Sequence, residues 1–236
     1  MSRSVVIAAI GQKHCGVPVY RAGMEVWGIN DAYQHCPEIK RFYKIYNIHK
    51  DFPACADDMK GRYKDWKNRY NASKALVVTA KDLGLKKQRI IDITKLRKEN
   101  PDYVFCSSVS YAIFEAVKAG YSEIRLYRLS LNRGEYATQG RGIIENIKWA
   151  QRHGVKVYWP WYKTVAEHYR NTPVNTNIFY GELDINNHYG ECADVPAKIT
   201  LGIPDLKAKI KELGGKLPKG RASKDKLEAI LDELSQ

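Results

Sequence analysis

Five short stretches of this chain carry side chains suited to bind or transform a polar ligand. GQKHCGVP (residues 11–18) follows an apolar run, and its two glycines, Gly11 and Gly16, let a backbone approach a phosphate, with Lys13 and His14 adding charge. FCSSVSYAIFEAVKAG (105–120) leads from an apolar segment through three serines into an amphipathic run. The free N–H groups of a helix start favour anions, and Ser107, Ser108 and Ser110 extend that donor set or simply cap the helix. SLNRGEYATQGRG (130–142) is rich in Gly, Asn, Arg and Gln. Glu135 suits a general base or a sugar-hydroxyl acceptor, and Arg133 or Arg141 suits a phosphate, unless the stretch is a solvated loop. Asn30 and Asp31 close one apolar run, and His49 closes another beside Lys50 and Asp51. A histidine there is a candidate acid or base, or a structural residue.

The elements that must position these residues follow from periodicity. SVVIAAI (4–10) is a continuous apolar run, as a strand buried on both faces requires. MEVWGIN (24–30), RFYKIYNIH (41–49), KALVVTA (74–80), RIIDI (89–93), EIRLYRLSL (123–131) and VKVYWP (155–160) read as further strands. Residues 56–70, 109–120 and 142–154 read as helices, the last two stopped by Gly120 and Gly154. Repeated strand–helix–strand units predict an α/β, Rossmann-like, mostly parallel sheet with helices on both faces. Such sheets bind ligands at the carboxyl ends of their strands, where the strand order reverses. Gly11, Asn30, Asp31, His49 and the serines all fall at predicted strand ends.

The stretch from about Leu201 differs. IPDLKAKIKELGG and SKDKLEAILDEL are short amphipathic helices, joined by the extended basic segment KLPKGRA, with Ser223 a good N-cap. The chain therefore divides into a domain over 1–197 and a helix–extension–helix module over 201–236.

Composition bounds the function classes. With 236 residues, 44% apolar and 28% charged, the chain suits a globular domain with an appendage. No apolar run approaches 18 residues, which argues against a spanning helix, and the N-terminal run reads as a strand rather than a signal peptide. Lys and Arg number 39 against 26 acidic residues, a net charge of +13, so the chain attracts polyanions. Nine of those cations lie in residues 40–70 among Phe42, Tyr43, Tyr46, Phe52, Tyr63, Trp66 and Tyr70, a mixture suited to nucleic acid or to a solvated face over a core strand. Five cysteines at irregular spacings, with no CxxC or CxxH pair, predict neither a disulfide framework nor a zinc site, and fit a reducing cytoplasmic compartment. The histidines show no metal spacing, so no metal centre is expected.

SSVSYAIFEAVKAGYSEIRLYRLSL and GEYATQGRGIIENIKWAQRHGVKVYWP, with the earlier VWGIND and YKIYNIHKDF and the late FYGE, resemble a phage-encoded Rossmann-like family. That family is distantly similar to the MptE-like 6-hydroxymethylpterin diphosphokinases and to bacterial family-42 sialyltransferases, and the resemblance spans residues 4–182. It implies a nucleotide or nucleotide-sugar donor, ATP or CMP-sugar, at the serine-rich junction. Ser107, Ser108 and Ser110 would lie near the nucleotide. Glu135, Tyr136 and Gln139 would flank the acceptor, with Gly11, Asn30, Asp31 and His49 at the neighbouring strand ends. Glu135 and His49 are then the candidate acid–base residues. One departure stands out: the family pattern LyGvD reads LYRLS here, with Arg128 at the glycine and Ser130 at the acid. Without that carboxylate the chain either uses another residue or binds without catalysing. The tail resembles SAP, LEM and Rho N-terminal modules. That resemblance implies nucleic-acid contact through Lys216, Lys219, Arg221, Lys224 and Lys226, although such modules also dock proteins. The expected function is a nucleotide-dependent transferase acting on nucleic acid or nucleotides in the host cytoplasm; the alternative is a non-catalytic binder.

Overall fold

The computed structural model describes residues 3–11, 24–48, 65–131 and 135–171, with only the backbone course at 135–138, and parts of 206–230. Seven strands form one sheet: β1 Ser4–Ala8, β2 Glu25–Ile29, β3 Lys44–Asn47, β4 Leu76–Thr79, β5 Gln88–Ile90, β6 Glu123–Tyr127 and β7 Lys156–Tyr158. Their order is β5-β4-β3-β2-β1-β6-β7, and all six pairings are parallel. The order reverses at β1, which sets the switch point between β1 and β6. The α/β class read from periodicity is therefore the observed one. Central strands are buried on both faces, which explains their unbroken apolar runs. The edge strands β5 (QRI) and β7 (KVY) are short and carry charge, which discourages pairing with another chain.

Helices cover both faces. Val6, Ala8, Val26, Ile45 and Val77 face α1 (Ala32–His35) and α2 (Trp66–Ala72) through Ala32, Cys36 and Tyr70. Val5, Ile7, Trp27, Ile29, Tyr46 and Val78 face the other side. There they meet α3 (Ile93–Glu99), α4 (Ser108–Lys118), α5 (Glu135–Arg152) and α6 (Tyr162–His168). An aromatic group fixes α4 against α5: Tyr103 lies 4.7 Å from Trp149 and 5.0 Å from Phe114, ring centre to ring centre. Glu115 of α4 ties the helix to the sheet through ion pairs with Lys44 of β3 and Arg89 of β5.

Several boundaries differ from the expectation. RIIDI is strand only to Ile90; Asp92 then caps α3, its carboxylate accepting from the Lys95 N–H at 2.9 Å. The helix expected at 142–154 begins at Glu135, and α1, α3 and α6 were not anticipated. Of the helix expected over 56–70, residues 56–64 lie outside the described residues, and α2 occupies the remainder and extends to Ala72. In the tail, Leu206, Ile210 and Leu227 are buried within the cluster on the α4 face, and the Lys226 N–H donates to the Ser223 hydroxyl at 3.4 Å, as an N-cap requires. Among the described residues, no helix is long and apolar enough to cross a membrane.

Candidate functional site at the carboxyl edge of the sheet

Three elements converge where β2 and β3 end and α4 begins. Asn30 follows β2 with φ of 52°, a left-handed conformation that asparagine tolerates better than most residues. Its Oδ1 accepts from the Ser108 hydroxyl at 3.3 Å, and the Ser108 oxygen in turn accepts from the Ile48 N–H at 3.2 Å. Ser108 thus pins the ends of two strands to the first residue of α4. Ser107 is the N-cap: its Oγ accepts from the Ser110 N–H at 3.2 Å, while Ser110 Oγ accepts from the Ser107 N–H at 3.0 Å. This reciprocal box accounts for two hydroxyls that the sequence offered either as a donor set or as caps. All three serines are buried.

Beside this pin stand buried polar atoms with unmet hydrogen-bonding capacity. Asn47 at the end of β3 donates to the Tyr70 hydroxyl at 2.8 Å, but its Oδ1 has no partner. Asp31 is 4% exposed; its Oδ2 lies 3.1 Å from His35 Nε2, and its Oδ1 is unpartnered. Gln139, in the second turn of α5, is fully buried with neither amide atom partnered. Each such atom costs about 1–3 kcal/mol if nothing completes it. The three residues sit at the edge from which parallel sheets present ligand sites.

The switch point itself is closed by Arg128. The Gly11 N–H donates to the Arg128 carbonyl at 2.8 Å, and Arg128 Nε returns a bond to the Gly11 carbonyl at 2.7 Å. A Cβ on Gly11 would lie 2.4 Å from the Arg128 oxygen, so glycine is required there for the approach of residues 128–130. Arg128 also donates to the His35 carbonyl and pairs with Glu38 at 3.6 Å. Its φ is 54°, the conformation that favours glycine, at the very position where the resembled pattern has glycine. The guanidinium therefore stands on a left-handed turn. Cys36 packs beside it, where burial pushes the thiol up to about 11 against the opposing pull of Arg128. The Tyr127 hydroxyl, donating to Glu38, is held well above its ordinary value by burial and by that carboxylate.

Gly11, Asn30, Asp31, Ser107, Ser108, Ser110 and Gln139 thus all lie along one edge. His49 and the Glu135 side chain are outside the described residues, as are Lys219, Arg221 and Lys224; Lys216 and Lys226 are exposed. Of the mixed basic and aromatic stretch, Phe42, Tyr46 and Tyr70 are buried, Lys44 is paired with Glu115, and Tyr43 is exposed beneath Arg41. The sequence reading missed the Asp31–His35 couple, although its i,i+4 spacing was visible. Away from this edge, a cavity of about 410 Å3 opens on the outer face of α5 beside Asp102 and Val104, lined by Arg141, Glu145, Lys148 and Arg152. Among the described residues no group of acidic, histidine and cysteine side chains is arranged to hold a metal ion.

No protein-family model and no curated protein matches the chain. Among solved structures, it is similar to thiamine pyrophosphokinase from Bacillus subtilis, at 14% identity and a TM-score of 0.40, over 66% of this chain and 59% of that one. It is similar as well to the sialyltransferase CstII from Campylobacter jejuni, solved with the substrate analogue cytidine-5'-monophosphate, at 13% identity and a TM-score of 0.43, over 66% of this chain and 78% of that one.

Proposed function

We propose that the chain is a nucleotide- or nucleotide-sugar-dependent transferase that moves a glycosyl or diphosphoryl group from a donor bound at the carboxyl edge of β2 and β3. One observation carries this reading: buried oxygens of Asp31, Asn47 and Gln139 lack partners at the edge where α4 and α5 begin. The amino end of α4, an 11-residue helix, favours the negative charge of a leaving phosphate. The family resemblance of residues 107–131 supports the donor class, and it nominates Glu135 and His49 as bases for the acceptor. The net charge of +13 and the basic tail support an acceptor that is a nucleic-acid base or a nucleotide, which in a phage setting is DNA modification or evasion of host defence.

The test is mass spectrometry of small molecules retained by the purified chain, followed by donor consumption with ATP, CMP-sugars and UDP-sugars. Retained nucleotide, depleted in Asn30→Gly, is the expected result; glycine keeps the left-handed turn and removes the carboxamide. The rival reading is a non-catalytic nucleic-acid binder, favoured by the same charge and by Ser130 at the acidic position. A chain that takes up no donor yet shifts a DNA fragment with strong salt dependence supports the rival and overturns the transferase.

A further inference from the structure

Gln139 is the buried residue least explained by the fold. Its side chain is fully buried, and neither Oε1 nor Nε2 meets a partner. Its backbone is well placed: the Gln139 carbonyl accepts from the Cys106 thiol at 3.7 Å, one residue before the Ser107 cap of α4. A leucine would fill the same volume with no polar penalty, so packing alone does not account for a carboxamide. The other buried amides of the core each make at least one bond: Asn146 donates to the Val104 carbonyl at 2.8 Å, and Asn47 donates to the Tyr70 hydroxyl although its Oδ1 is unmet. Among the described residues, no protein group completes Gln139.

We propose that Gln139 reads the base edge of the bound nucleotide, rather than flanking the acceptor. The proposal rests on the nucleotide reading above. A carboxamide presents one acceptor and one donor in a single plane. Its complement is a planar ring carrying a donor beside an acceptor, as adenine does with N6 and N7 and cytosine with N4 and N3. A phosphate offers acceptors only, and a hydroxyl meets one amide atom at a time. A nucleobase edge satisfies both atoms at once, in the plane of the carboxamide.

The experiment titrates the full chain with AMP, CMP, GMP, UMP and ribose 5-phosphate by calorimetry, in wild type, Gln139→Leu and Gln139→Glu. At least one nucleotide should bind wild type more tightly than ribose 5-phosphate does. Gln139→Leu should lose that advantage by about tenfold or more while its unliganded melting temperature rises by about 3–10 °C, because an idle buried amide has been removed. Gln139→Glu keeps the acceptor and the size but not the donor, and should lose the same advantage even if the leucine variant does not fold. Nucleotide binding unchanged in either folded variant overturns the role of Gln139 and leaves the nucleotide site standing. Failure of every nucleotide to outbind ribose 5-phosphate in wild type overturns both.

Discussion

Arg128→Gly separates two opposing effects at the switch point. The native φ of 54° costs a non-glycine residue about 1–2 kcal/mol, which glycine recovers. Glycine also gives the unfolded chain more freedom, taking back about 0.4–1 kcal/mol. Against that small balance stands the guanidinium, whose side chain is 13% exposed. It donates to the carbonyls of Gly11 and His35, and a hydrogen bond from a charged donor contributes about 1.5–3 kcal/mol. Its partly buried pairing with Glu38 adds up to about 1 kcal/mol. The net loss is about 2–5 kcal/mol, or a fall of about 5–15 °C in melting temperature for a chain of this size. Scanning calorimetry measures it directly. Arg128→Lys keeps the charge and the strain but lacks the planar fork, and should also melt below wild type. A glycine variant that melts at or above wild type refutes the clamp and shows that relief of backbone strain outweighs it.

Three further outcomes follow from the same structure. Burial raises the Glu115 carboxyl, but hydrogen bonds from Arg89 and Lys44 outweigh it and hold the group below its ordinary 4.5. The unfolded chain therefore takes up this proton first as pH falls. The stabilisation is complete above the unfolded value and is lost as pH drops through the folded one, so wild type should lose more urea resistance than Glu115→Gln below about pH 4.5. Burial pushes Cys36 up to about 11 and Cys106 to about 12, so neither should alkylate in the native chain at about pH 8, as peptide mapping would show; native labelling at either contradicts their burial. Replacing Lys216, Lys219, Arg221, Lys224 and Lys226 by alanine should weaken DNA binding and flatten the log–log salt slope by about 0.9 per lost phosphate contact; an unchanged slope removes the tail from the interface.

Sequence exposed the sheet better than its site. β1, β2 and β4 were readable because strands buried on both faces carry largely apolar runs, and β6 (EIRLY) because its charged and apolar residues alternate. The start of α5 was hidden by Gly140 and Gly142, which disfavour helix in isolation. Packing demands them: a Cβ would lie 2.4 Å from the Tyr169 ring at one and 2.6 Å from Cys106 Sγ at the other. α3 was hidden because isoleucine and threonine open it, and its seven residues give too short a window for a period. At the site, composition left capping and ligand binding open for the three serines, and only the reciprocal bonds with Ser110 single out Ser107 as the cap. The Ser108–Asn30 bond joins residues 78 apart in the chain, and no local pattern announces it. Nor does side-chain type reveal the positive φ of Arg128.

A crystal structure of the chain soaked with the nucleotide it binds best tests the central claim most directly. Density with its phosphate beside Asn30 and the amino end of α4 is the predicted result. Density on the outer face of α5, along Arg141 and Arg152, with the strand ends empty, contradicts it.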